Sequence, residues 1–404
     1  MKMLVKIMFA LIAVFAMGST AAPQETMKDS RDGKTYKTVK IGSQIWMAEN
    51  LNYKTTNSYC LDNKHANCSK YGRLYTWSAA MDSVGKWSTN GKGCGYGETC
   101  SPTDPVRGVC PEGWHLPTEL EFDILIDAVG GWKDAGVMLK STTGWKDRNG
   151  TGDFGFSALP AGDGNGYGDF SSLGYGAYFW SSTEVYTDHA SLMHLYDKFG
   201  RDEVSMDSDY KNSRLSVRCL RDRAVVAAPQ ETMKDSRDGK TYKTVKIGSQ
   251  IWMAENLNYK TTNSYCHDDD PANCSKYGRH YEWNVALAAC PNGWHLPTKA
   301  EFETLFDVVG GKKAASVMLK STTGWKNDNG TDDFGFSALP AGSMSGPSHY
   351  SDKEGAYFWS STDSYHAAYR MGLHRDDELG IGDERADLRA VGTDYGLSVR
   401  CVKD

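Results

Sequence analysis

From Lys34 to Glu49 the chain alternates between apolar and polar side chains, Lys34 to Ile41 and then Gln44 to Glu49, around Gly42-Ser43. A period of two interrupted by two turn residues predicts a β-hairpin. Past residue 118 the period lengthens. Phe122, Leu125, Ile126 and Val129 fall on one helical face behind a Thr118-x-x-Glu121 capping box, and Gly130-Gly131 ends the run. That pattern predicts a helix, with a shorter one over Asp134 to Lys140. After Gly144 the chain turns to glycine, serine and aromatics, and short strands are predicted at Tyr178 to Ser181, Ser191 to Tyr196 and Leu215 to Leu220. The fold class this implies is α+β: one or two helices on a small, mostly antiparallel sheet with long loops.

The whole series then repeats. Ala21 to Cys60 returns unchanged as Ala227 to Cys266, the hairpin as 240 to 255, and the capped helix with Thr298, Glu301, Phe302, Leu305, Phe306 and Val309. The unit is far longer than the roughly 20 to 50 residues of stacked repeats, so each copy is expected to be a self-sufficient domain. We divide the chain into a leader (1–21), a first domain (22–222), a linker (223–231) and a second domain (232–404). The copies differ mainly in three segments: 78–109, which the second nearly lacks; 163–176 against 343–355; and 184–215 against 363–397.

Composition changes this picture in two ways. Gly 42, Tyr 22 and Trp 12 among 404 residues suit short strands joined by glycine-rich turns and aromatic-walled loops. The formal charge of -6, without any basic run, argues against nucleic acid. At the start, Lys2 and Lys6 flank an apolar stretch from Ile7 to Met17 that is short for a bilayer span, and Ser19, Thr20 and Ala21 follow. That reads as a signal peptide with a mature start near Ala22, which implies export to the extracellular space, the cell surface or the periplasm. No transmembrane segment is expected in the mature chain.

The ten cysteines fit an oxidising compartment. The first copy holds Cys60, Cys68, Cys94, Cys100, Cys110 and Cys219, and the second Cys266, Cys274, Cys290 and Cys401. Cys94 and Cys100 both lie in the segment that the second copy lacks, so parity pairs them. Three connectivities remain for the shared four. We choose Cys60 with Cys68 and Cys110 with Cys219, and their counterparts. Zinc is not expected, since no ligand spacing occurs.

Further motifs complete the reading: Ile-Gly-x-Gln-x-Trp-Met-Ala-Glu-Asn-Leu at 41–51, Tyr-Gly-Arg-Leu-Tyr-Thr-Trp at 71–77 and Cys-Pro-x-Gly-Trp-His-Leu-Pro-Thr at 110–118. Gly-Phe-Ser-Ala-Leu-Pro-Ala-Gly at 155–162, Phe-Trp-Ser-Ser-Thr at 179–183 and Ser-Val-Arg-Cys at 216–219 follow. In these motifs each copy resembles the Fibrobacter succinogenes major paralogous domain over nearly its whole length. The second copy departs at His280 and Glu282, where the first has Leu74 and Thr76. The resemblance implies two tandem C-type lectin-like domains, with a disulfide from the first long helix to the last strand. The sugar-binding lectin motifs Glu-Pro-Asn, Gln-Pro-Asp and Trp-Asn-Asp are missing, so that calcium-dependent site is not carried over.

Candidate chemistry is sparse. His115 and His295 sit beside a helix cap and read as structural; Asp147 to Asp153 reads as an Asx-rich turn rather than a calcium loop. Asp153 with Glu184, and Asp333 with Asp363, are the acids at matching positions near the aromatic loops. No catalytic residue, metal or cofactor is assigned. The expected function is an exported, non-catalytic binding module whose ligand is a polysaccharide; a protein-binding surface adhesin or an uncharacterised hydrolase are the alternatives. The residues expected to meet ligand are Tyr167, Phe170, Tyr175 and Tyr186 in the first copy and Tyr350, Tyr365 and Tyr369 in the second.

Overall fold

The computed structural model describes residues 25–198, 201–222, 231–326, 329–345, 354–376 and 383–404. The leader 1–21 and linker residues 223–230 lie outside these, and Glu231, placed at the end of the linker, already opens a strand.

Each copy is built on two sheets. In the first copy one sheet runs Thr26–Lys28, Thr35–Ile41, Gln44–Met47, Leu220–Arg221 and Trp114–His115. The predicted hairpin forms its middle, with Val39 opposite Trp46 and Ile41 opposite Gln44. Its alternation buries Tyr36 and Thr38 on one face, and on the other Ile41 is buried and Val39 half-buried against a second core with Trp46. Leu220 then pairs with both Trp46 and His115, so the domain's last strand closes against its first hairpin. The other sheet runs Arg201–Tyr210, His189–Lys198, Gly176–Glu184, Leu215–Ser216, Leu74–Tyr75 and Ser58–Tyr59. The second copy repeats both sheets, the first as Glu231–Lys234, Thr241–Ile247, Gln250–Met253, Val402–Lys403 and Trp294–His295.

The main helix, Glu119–Ala128, starts as its capping box requires: Thr118 Oγ1 accepts from Glu121 N at 3.2 Å and Glu121 Oε2 accepts from Thr118 N at 2.8 Å. It buries Phe122, Leu125 and Ile126, and Phe122 stacks on Trp46 with ring centroids 5.4 Å apart. The shorter helix runs Trp132–Leu139, starting two residues before the predicted Asp134. In the second copy the pair is Lys299–Val309 and Lys312–Met318.

The strand expected over Leu215 to Leu220 is broken in two. Leu215–Ser216 belongs to one sheet and Leu220–Arg221 to the other. Between them the carbonyls of Val217 and Cys219 accept from Leu51 and Met47 as the chain crosses. The strand Arg201–Tyr210 was not foreseen, because its charged and serine-rich sequence hides the inward-facing Val204 and Met206. It is an edge strand, where polar side chains are tolerated.

The disulfides pair as chosen: Cys60–Cys68, Cys94–Cys100, Cys110–Cys219, Cys266–Cys274 and Cys290–Cys401. Arg73 clamps the smallest loop of the shared set, donating to Ser58 Oγ at 3.0 Å, Ser58 O at 3.0 Å and Cys68 Sγ at 3.4 Å. Five such bonds belong to an oxidising, exported environment. Among the described residues no helix is long and apolar enough to cross a membrane.

The two copies touch. Ile124 of the first main helix is buried with Ala314 and Met318, flanked by Leu120 and Phe334. Beside this patch Lys313 Nζ pairs with Asp123, and Ser43 Oγ donates to Val309 O at 3.5 Å.

Candidate functional site

The three segments in which the copies differ meet in one place. A hollow of about 470 Å³ in the first domain is lined by Tyr96 from the first segment, Asp163, Asn165 and Tyr167 from the second, and Asp209, Tyr210 and Asn212 from the third. Its walls are therefore tyrosine rings, with carboxylates and amides between them.

Each wall is fixed by local chemistry. Tyr96 stands in the short loop that Cys94–Cys100 closes, a sequence separation of 6. That loop is held to the tip between Gly176–Glu184 and His189–Lys198 by Gly97 N, which donates to Thr187 O at 2.9 Å. Lys211 reinforces the tie from underneath. Its Nζ, 1% exposed as a residue, donates to Glu98 O at 2.9 Å and Thr187 O at 2.8 Å and pairs with Glu184. In the second wall Asn165 Oδ1 accepts from both Tyr167 N and Asp169 N at 3.0 Å, a side chain mimicking a turn. Gly166 packs closely here: a Cβ would meet Asn212 Nδ2 at 2.5 Å and would have to push that amide aside. In the third wall burial raises the Asp209 carboxyl above the ordinary carboxylate range. Asp163 pushes the same way, against the donors Tyr210 N and Ser213.

The predicted contact residues divide. Tyr167, 97% exposed, stands at the hollow. Tyr186 joins it through a run of rings, 6.1 Å from His189, which lies 4.2 Å from Tyr210, itself 6.5 Å from Tyr96. Phe170 is instead half-buried against Arg214, whose guanidinium also covers Tyr59, and Tyr175 pairs with Lys146 at 4.4 Å. In the second copy Tyr365 is exposed at a strand turn against His366, and Lys299 lies 4.9 Å over Tyr369; Tyr350 falls outside the described residues. Tyr96 and Tyr210 were missed. The signal for Tyr96 was present, since a tyrosine at the head of a short disulfide loop has little room to bury itself.

The other candidates resolve into structure. His115 Nδ1 meets Asp222 Oδ1 at 2.7 Å and Nε2 meets Glu121 Oε1 at 2.9 Å, so both ring nitrogens are engaged. Burial disfavours the charged ring, but the Glu121 charge and the bonds to Asp222 and Glu121 outweigh it and lift its pKa to about 9. His295 repeats the arrangement with Asp404 and Glu301. Asn149 Oδ1 accepts from Trp145 N at 3.1 Å, which ties the 147–153 segment back to the chain before it begins to turn. Glu184 is occupied by Lys211 and by Cys100 N, while Asp153 is exposed. Among the described residues no group of three or more His, Cys, Asp or Glu is placed to hold a metal.

Compared with known proteins, the Fibrobacter succinogenes major domain matches residues 39–221 and, a second time, 245–403. No curated protein and no solved structure matches the chain.

Proposed function

Since the chain belongs to the Fibrobacter succinogenes major domain family, which it carries in two tandem copies, we propose that it is an exported binding module acting at or beyond the cell surface on a polysaccharide. The observation that carries this reading is the hollow: three segments that diverged between the copies converge there, exposing Tyr96, Tyr167 and Tyr210 beside Asp163, Asn165, Asp209 and Asn212. Ring faces stack on the apolar faces of sugars, and amides and carboxylates receive or donate the bonds that fix hydroxyls. Loops on a rigid scaffold are the usual seat of such contacts. On this reading each copy is C-type lectin-like, in keeping with the hairpin paired to the closing strand and the disulfide Cys110–Cys219 tying the entry to the main helix to that strand.

The test is retention on immobilised neutral plant and bacterial polysaccharides. For a polymer that holds the wild type, Tyr96→Ala with Tyr167→Ala is expected to lower retention at least tenfold with an unchanged melting temperature, both rings being exposed. Unaltered retention in that variant would remove the hollow from the reading. One observation favours a hydrolase instead, namely that Asp163 and a burial-raised Asp209 share the hollow. Release of reducing ends by the wild type, abolished in Asp209→Asn, is the outcome that would decide for it.

A further inference from the structure

A second cleft occurs twice. In the first domain it encloses about 240 Å³, in the second about 370 Å³, and the fourteen residues lining the first are the same fourteen amino acids in the second. Close by, the chain did change. Leu61-Asp62-Asn63-Lys64-His65 became His267-Asp268-Asp269-Asp270-Pro271, and Leu74 and Thr76 became His280 and Glu282. The unchanged set is scattered in sequence from Lys34 to Arg218, so one identical block does not account for it.

Its floor is cationic. Arg218 is 1% exposed, and its guanidinium is held by neutral oxygens alone: Nε donates to Asn50 Oδ1 at 2.9 Å, and the terminal nitrogens donate to the carbonyls of Phe156 and Ser157. The Phe156 ring lies 4.3 Å from it. Three bonds leave two of the five N–H donors of an arginine without a partner among the described residues. Arg400 repeats this with Asn256, Phe336 and Ser337. Burial lowers the pKa of each to about 9, and Glu49 counters that in the first copy, so at neutral pH both stay charged. Gly72 lets the helix end pass close to the floor, for a Cβ there would meet that of Asn50 at 2.7 Å.

At the rim Lys70 Nζ is exposed over the Tyr71 ring at 4.7 Å, and Lys276 over Tyr277 at 4.8 Å. Lys34 is already paired with Asp32, and Glu49 is turned to accept from Lys37 N at 2.7 Å. The lining holds Lys34, Lys70 and Arg218 against Glu49 in the first copy, and Lys240, Lys243, Lys276 and Arg400 against Glu255 in the second. A concave site with a buried cation below, a lysine at the lip and one tyrosine ring suits a carboxylated ring.

We infer that each copy carries a cleft for a uronate residue of an acidic polysaccharide, its carboxylate directed to the Arg218 or Arg400 floor and its ring to Tyr71 or Tyr277. This rests on the polysaccharide reading but on a site apart from the tyrosine hollow.

The test uses the full chain in gels cast with polygalacturonate or with neutral galactan. Wild type is expected to be retarded by polygalacturonate, and the retardation to vanish near 1 M salt, where the Debye length falls to about 3 Å. Lys70→Glu with Lys276→Glu, exposed positions whose change leaves melting intact, is expected to weaken retardation at least tenfold, and Tyr96→Ala with Tyr167→Ala to leave it unaltered. Equal retardation of the lysine variant, or none of the wild type by polygalacturonate, overturns the cleft. Binding of a neutral polymer through the tyrosine hollow would survive either result, so the two sites fail separately.

Discussion

At the scale of single residues the second copy carries one conspicuous substitution. His280 stands where Leu74 fills the first core, and it is 2% exposed beside His267, with ring centroids 5.5 Å apart. Its Nδ1 has no hydrogen-bond partner among the described residues. Burial and the neighbouring His267 lower its pKa to about 3. The unfolded chain protonates it near 6.5. Above that pH the ring is neutral in both states and costs nothing by protonation. As the pH falls from about 6.5 towards 3, the unfolded state takes a proton that the fold refuses, and stability drains away. His280→Leu is therefore expected to raise the melting temperature of the second domain far more at pH 5 than at pH 8. Equal shifts at the two pH values in calorimetry would refute this. The sequence marked His280 as a departure, but not its burial, since nothing in a short strand says which neighbour lies across it. Arg218 was likewise visible within Ser-Val-Arg-Cys, yet an arginine before a closing cysteine gives no sign that its guanidinium lies beneath a cleft.

Whole elements were more legible. The hairpin and the capped helix appear where alternation and capping chemistry put them, because both signals are local. The edge strand Arg201–Tyr210 was illegible because its stability comes from pairing along ten residues of its neighbour rather than from its own composition. The same logic bears on a short helix. In the first copy Thr76 caps Trp77–Ala80 by accepting from Ala79 N at 3.3 Å, whereas Glu282 at the same place before Trp283–Ala286 makes no capping bond. Its carboxylate instead accepts from Tyr265 Oη at 3.1 Å. Glu282→Thr is expected to stabilise the second domain by about 1 kcal/mol, the usual worth of a cap, less what the Tyr265 bond contributes. Urea midpoints measure it, and a lowered midpoint would mean that the tyrosine bond outweighs the cap.

For the whole molecule, the duplication was evident from sequence, but the contact between copies was not. Asp123 and Ile124 lie on a helix whose other face already explains its apolar residues. Burial raises the Asp123 carboxyl, and Lys313 opposes that. The interface is small, so Ile124→Lys with Lys313→Glu is expected to leave each domain's melting unchanged while freeing the pair to tumble separately. Relaxation of backbone amides should then give each half the correlation time of a single domain. A single common correlation time in that variant would show that the linker alone fixes the arrangement.

That junction bears on how the chain would meet a long polymer. Were the copies joined by a slack tether, the second grip would search a sphere and close on any strand within reach. Held by Ile124, Met318 and the Asp123–Lys313 pair, the duplicated clefts would, on the proposed reading, act as the jaws of a caliper instead. A chain presenting its acidic units at the caliper's span engages both jaws without paying again for orientation, and one with a different pitch engages a single jaw. If the two clefts bind as proposed, the contact would turn a duplicated binder into a gauge of polymer periodicity.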